Sequence, residues 1–243
     1  MNSLWLDPLR RTFDTVEGPV SIFFRDDDVG WGDARLFELL DLFAERGLPI
    51  DLAVIPQSLL PRLAMQLRTR VEATSARISL HQHGFAHINH QSVGRKCEFG
   101  NERTLSTQYD DIALGQQQLR EEFGELLDPI FTPPWNRCTE DTGRCLLELG
   151  LRVLSRESSA VPLNLPDLAE QSVSIDWFAH RKGARLTREE LGQHFAAAIT
   201  TTRPIGVMLH HARMDREECD AANELLTLLA THEHVRCRLM REL

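Results

Sequence analysis

Short unbroken apolar runs alternate along this chain with longer segments in which apolar residues recur every three or four positions. The first run, 20–25 (VSIFFR), predicts a buried strand, and 33–47 (DARLFELLDLFAERG) has helical spacing with a glycine where the helix would end. Residues 50–56 predict a second strand, 57–70 a helix whose start is blurred by Pro61, and 76–83 (ARISLHQH) a third strand. The polar stretch 91–104 reads as a loop, and 106–124 as a helix with Ser106 at its N-cap. Further strands are predicted at 129–135, 152–158, 172–177 and 204–211, helices at 139–151, 187–202 and 215–232, and a last apolar piece at 234–240. Strand and helix repeat about seven times, which calls for a parallel sheet, and strand number and length favour a single barrel over an open sheet. No glycine-rich phosphate fingerprint follows the first strand, so a dinucleotide-binding domain is disfavoured. No linker composition marks a boundary, and one domain over 1–243 is expected.

Composition narrows the classes of function. Of 243 residues, 42% are hydrophobic and 26% charged, with a formal net charge of -9 and a pI near 5.6. That balance argues against a nucleic-acid partner. The five cysteines, Cys97, Cys138, Cys145, Cys219 and Cys237, form no CxxC pair, so a cysteine zinc site is not expected and reduced thiols are. The first residues lack a basic start followed by an apolar run, and no stretch approaches the roughly 20 apolar residues of a membrane span. The expectation is a cytoplasmic protein with a small-molecule or glycan-precursor substrate, no nucleic acid and no membrane span; a homo-oligomer is compatible with it.

The chemistry is concentrated where strands end. In a parallel barrel functional residues gather at the carboxyl ends of the strands. Strand one ends in Asp26-Asp27-Asp28, strand three in His83 with His87 four residues on, and the fourth in 133–137 (PPWNR). Later strands end in Asp176-Trp177 and in His210-His211. Two imidazoles and one carboxylate suit zinc first, with cobalt, nickel or iron as alternatives, and leave coordination positions open. Such an ion lowers the pKa of a bound water towards roughly 7. A second carboxylate then serves as general base and a separate histidine as general acid. Neighbouring aspartates on an extended strand point to opposite sides, so Asp27 and Asp28 should take different jobs. Taken singly, each feature has an ordinary explanation: an acidic turn, a surface HxxxH pair, a turn with a packed tryptophan. The pair is not HExxH, since Gly84 follows His83. The joint occurrence at successive strand ends carries the argument.

With those residues in hand, the chain resembles the NodB-like polysaccharide deacetylases, carbohydrate esterase family four. "FRDDDVG", "HGFAHINH", "FTPPWNR", "SIDW" and "VMLHH" are similar, in order, to that family's five motifs and span Phe24 to His211. The resemblance implies a distorted (β/α) barrel with about seven parallel strands, and hydrolysis of an N-acetyl group on an amino sugar by attack of a metal-bound water. Carried over by position, Asp28, His83 and His87 would hold the metal, Asp27 would be the base, and the Trp135 N–H would steady the oxyanion. His210 would protonate the leaving amine, oriented by Asp176. Trp135 and Trp177 would wall the substrate, with Pro134, Asn136, Arg137, His81 and His211 also lining its site. The family's arginine before PPW is Thr132 here, and Arg25 or Arg137 could replace it. The triplet leaves Asp26 with Asp27 as an alternative base and ligand, and His211 as an alternative to His210. A nucleotide- or lipid-linked sugar is the expected substrate type. Cleavage of a cyclic amide or ureide, or a catalytically silent sugar-binding relative, are the alternatives.

Overall fold

A computed structural model describes residues 3–74, 77–201 and 204–243. Ala76 and Thr202, at the edges of a predicted strand and helix, lie outside the described residues. The strands are β1 (Val20–Val29), β2 (Ile50–Val54), β3 (Ile78–His83), β4 (Leu127–Thr132), β5 (Val153–Leu154), β6 (Ala169–Glu170), β7 (Val173–Asp176), β8 (His180–Arg181), β9 (Ala184–Arg185), β10 (Ile205–Leu209) and β11 (Val235–Cys237). The helices are α1 (Asp7–Thr15), α2 (Asp33–Arg46), α3 (Pro61–Ala73), α4 (Leu105–Phe123), α5 (Glu140–Glu148), α6 (Arg188–Thr201) and α7 (Arg216–Thr231).

The main sheet is parallel throughout and runs β6-β5-β4-β3-β2-β1-β10-β7, with β11 beside the start of β1. Its two ends meet. Val153 and Leu154 pair with Ala169 and Glu170, and Glu157, just past β5, pairs with Val173 at the same offset along the chain. β6 and β7 are thus two halves of one stave, and the sheet closes into a distorted (β/α) barrel. Register shifts in the β1–β2, β3–β4 and β10–β7 ladders supply the distortion.

Alternation along β1 separates two environments. Val20, Ile22 and Phe24 join the core between sheet and helices, while Phe23 packs with Ile130, Val173, Met208 and Met240 inside the barrel. The next inward positions are polar: Arg25 and Asp27. Below them Asp51 of β2 is fully buried and accepts the Met240 N–H at 3.2 Å, so the C-terminal turn closes the barrel floor.

Several local details differ from expectation. Thr104, not Ser106, caps α4, its hydroxyl accepting from the Thr107 N–H at 3.2 Å. Pro61 opens α3 at a position where a missing N–H costs nothing. α1 was not anticipated; its single short apolar stripe, Leu9 and Phe13, is buried only by packing on the rest of the chain. The β8–β9 hairpin turns at Lys182 and Gly183, both at positive φ, as a two-residue hairpin turn demands. All five cysteines are free. Among the described residues no helix is long and apolar enough to cross a membrane.

Candidate metal centre

The acidic triplet divides three ways. Asp26 points outward and is buried against His211, whose backbone N–H and Nδ1 lie 2.8 and 2.6 Å from its two oxygens. Asp27 points into the barrel. Asp28, next to last in β1, has φ +67 at an irregularity of the ladder and turns toward the histidines. These partners put Asp26 in a buried pair with His211 and Asp28 at the cleft.

His83 and His87 both place Nε2 3.2 Å from Asp28 Oδ1, and one ligand atom from each of the three residues lies within 4.8 Å of the others. The His83 Nδ1–H donates to the Thr132 carbonyl at 3.0 Å, so Nε2, which hydrogen-bonds Asp28, is the nitrogen that would give up its proton to an ion. Asp28, His87, Trp135 and Asn136 all have positive φ, a conformation side-chain-bearing residues adopt at a cost of about 1–3 kcal/mol each. All four lie at or just beyond the ends of β1, β3 and β4, where the chain turns around Asp28. The mixed nitrogen and oxygen donors, the anchored His83 ring and the spacing fit a divalent ion with open positions. Burial opposes the charge on Asp28, yet hydrogen bonds from His83 and His87 outweigh it and depress its pKa. For His83 burial works against protonation, and the Asp28 and Asp27 charges overcome it and raise the pKa. Ion-free, the three groups share protons; an ion would replace them.

Two loops build this geometry. The buried Glu98 carboxylate accepts the Phe85, Ala86 and Ile88 N–H groups at 3.2, 2.8 and 3.3 Å, wrapping 85–88 so that His87 faces Asp28. Gly84 permits it: at φ +55, a Cβ there would lie 2.2 Å from Glu98 Oε2 and 2.5 Å from Pro134 Cδ. Beside them sits the arginine that Thr132 does not provide. Arg25 is wholly buried and grips Asp27 with both prongs, Nε to Oδ1 at 2.7 Å and Nη2 to Oδ2 at 2.8 Å. Its remaining N–H groups reach Ser155 Oγ at 2.8 Å and Asn136 Oδ1 at 2.7 Å. Burial would raise the Asp27 pKa, but Arg25, followed by His83 and His210, lowers it below the usual carboxylate value. Arg137 is elsewhere, donating to the Lys96 carbonyl at 3.0 Å.

Several expected site residues are placed differently. Trp177 is 2% exposed, packs edge-on against Trp5 and donates to Glu218 at 2.6 Å, so it belongs to the helix layer and walls nothing. His81 is sealed inside the barrel, 2.9 Å from Thr132 Oγ1, its pKa pushed by burial and by Arg25 down to about 3. His211 is fully buried with Nδ1 on Asp26 and Nε2 2.6 Å from the Trp31 carbonyl, so neither nitrogen is left for a ligand. Burial disfavours its cation; Asp26 and that carbonyl override this and raise its pKa. Pro134 and Asn136 are supports, under Gly84 and Arg25 respectively. Asp176 Oδ1 accepts the Phe178 N–H at 2.8 Å, while His210 Nδ1 is buried with no partner, so the expected Asp176–His210 bond is not made. His210 itself is at the cleft, Nε2 3.9 Å from Asp28 Oδ2.

Two residues at the cleft had no assigned role. Trp31 is 41% exposed with its ring 4.9 Å from that of His87, which also has the Trp135 ring 4.5 Å away. An aromatic residue between two glycines directly after the acidic triplet was the available signal. Glu98, in the stretch that reads as a loop, holds the histidine loop.

No protein-family model matches the sequence, and no curated protein sequence does so significantly. Solved structures do match. A candidate polysaccharide deacetylase from Mycobacterium smegmatis superposes with a TM-score of 0.68 at 16% identity, over 94% of this chain and 90% of that one. A family 4 acetyl xylan esterase from Clostridium thermocellum, in complex with a cobalt ion, gives 0.59 at 13% identity, over 91% and 89%. A CE4 family pseudoenzyme from Bacillus anthracis gives 0.61 at 9% identity, over 93% and 66%. The chain has the fold of the CE4 polysaccharide deacetylases.

Proposed function

We propose that the protein is a metal-dependent hydrolase that removes an N-acetyl group from an amino sugar or a sugar-containing precursor. The observation that carries this reading is the convergence of Asp28, His83 and His87 beside an Arg25-clamped Asp27 and the cleft histidine His210. A divalent ion held by the three, zinc in first place, would supply Lewis acidity and a nucleophilic water at neutral pH. Asp27, kept ionised by Arg25, takes the proton of the attacking water. The Trp135 N–H, in the first turn of a short 3-10 helix and so without an intrahelical partner, is the donor we assign to the developing oxyanion. His210 delivers a proton to the amide nitrogen as the C–N bond breaks, yielding acetate and a free amine. Trp31 and Trp135 flank the acyl group and exclude water.

The test is acetate release by metal-loaded protein from a panel of N-acetylated amino sugars. Asp27→Asn is expected to keep its metal and lose roughly 100-fold or more in kcat, the range for removing a general base. His83→Ala is expected to lose the metal itself. A likeness to a pseudoenzyme favours one second reading, a silent sugar-binding protein. Wild type that binds metal and sugars but releases no acetate would establish that reading in place of ours. Release of ammonia or ring opening of a cyclic amide would point to the ureide alternative.

A further inference from the structure

The cleft is flanked by cations. From Asp28, contacts lead outward in two directions. On one side lie His87 and then Trp135, and the Lys96 ammonium sits over the Trp135 ring, 5.8 Å from its centre. Arg137 donates Nη1–H to the Lys96 carbonyl, while its Nε is buried without a partner. Partial burial, and next the charge of neighbouring Arg95, depress the Arg137 pKa. On the other side His210 leads to Phe178, ring centres 6.4 Å apart, and the Arg213 guanidinium lies 4.1 Å over Phe178. Arg95, Lys96 and Arg213 are exposed. In a chain of net charge -9, Arg95 and Arg137 repel each other, with Glu157 offsetting part of that charge, and Lys96 adds a third cation on the same stretch. An anion seated among them removes that repulsion.

We propose that the substrate of this cleft carries a phosphate group attached to the amino sugar, and that Lys96 and Arg137, beyond Trp135 from the metal-ligating residues, bind it. A half-buried guanidinium next to an exposed lysine suits a phosphate dianion, which accepts several charge-assisted hydrogen bonds at once. Arg95 adds long-range attraction. The inference rests on the hydrolase reading for the identity of the cleft, but the anion site can be tested without turnover.

Inorganic phosphate is titrated calorimetrically into metal-loaded wild type, the Lys96→Gln/Arg137→Gln pair and a control pair, Arg62→Gln/Arg120→Gln, which removes exposed cations from α3 and α4. Phosphate held by the ion itself contributes equally to all three, so the difference reports on the rim. The expected result is binding to wild type and control, weakened about tenfold or more in the Lys96/Arg137 pair, the loss of a charge-assisted hydrogen bond. Equal binding by all three, equal weakening in both pairs, or no binding to wild type overturns the proposal. Uridine monophosphate and decyl phosphate then separate a nucleotide from a lipid source by which one binds more tightly than phosphate alone. In acetate release, the preference for a sugar phosphate over the uncharged sugar should collapse in the Lys96/Arg137 pair. If no N-acetyl sugar is turned over while phosphate binding depends on Lys96 and Arg137, the hydrolase reading fails and the anion site stands. Turnover of uncharged sugars, with phosphate binding indifferent to both residues, sinks the anion site alone.

Discussion

Arg25→Met leaves Asp27 buried without its counter-charge. The guanidinium has no exposed surface and Asp27 only 3%, so solvent screens the pair little. Removing one partner of a buried ion pair costs about 3–5 kcal/mol, most of it the penalty on the stranded charge. In a chain of this length each kcal/mol is worth about 2–4 °C, so calorimetry should show Tm falling by roughly 6 to 20 °C at pH 7. The pH dependence has a definite sign. In wild type the Asp27 pKa is lowered, so its contribution to stability is present above the unfolded-state pKa and is lost as pH falls through the folded value. Without Arg25 burial dominates and the pKa rises, so the variant loses stability as pH rises instead. The gap between the two proteins should therefore be wide at pH 7 and narrow toward pH 4. The double variant Arg25→Met/Asp27→Leu removes both charges and should be more stable than Arg25→Met alone. A single variant within about 1 kcal/mol of wild type at pH 7, or a double variant less stable than the single, would refute the claim that Arg25 holds Asp27 as an ion.

Other expectations follow from the same geometry. Burial pushes the Asp51 pKa up to about 8, so this group favours the fold at low pH and its contribution is lost as pH rises through about 8. Asp51→Asn should flatten the stability profile between about pH 4 and 8 and make the protein more stable than wild type at pH 9, read by denaturant unfolding. Glu98→Ala strips the acceptor from three N–H groups, at about 1–3 kcal/mol for each one left unsatisfied, and frees the loop that carries His87. Metal affinity in a competition assay should fall more steeply than Tm, and a parallel, equal fall would argue that Glu98 supports only the fold. Gly84→Ala should do the same through the clash with Glu98 and Pro134. Trp31→Ala, at a partly exposed ring, should leave Tm within about 2 °C and raise KM for the acetylated sugar; an unchanged KM would remove Trp31 from the substrate wall.

Fold class and the neighbourhood of the centre were legible in the chain because both rest on periodicity. Apolar runs of strand length between helical stripes set a parallel barrel, and a parallel barrel brings its strand ends to one rim. The acidic triplet, His83 and His87 could therefore be brought to one rim from their places in the sequence, while the choice of Asp28 within the triplet came from the resemblance to the deacetylase motifs. Side-chain direction at irregular positions was not legible. Trp177 follows Asp176 at the end of β7, and only the packing of α6 and α7 determines that it turns outward onto Glu218. His211 continues β10, yet its partners, Asp26 and the Trp31 carbonyl, lie some 180 residues away in the chain. The same holds for the guanidinium beside Asp27. Alternation along β1 allows Arg25 to face the same side as Asp27, but Arg137 was an equal contender until the closed barrel placed Ser155 and Asn136 around the Arg25 side chain. Local pattern determines which residues reach the rim; the long-range contacts of a closed sheet decide which of them meet a ligand and which are used to hold the others still.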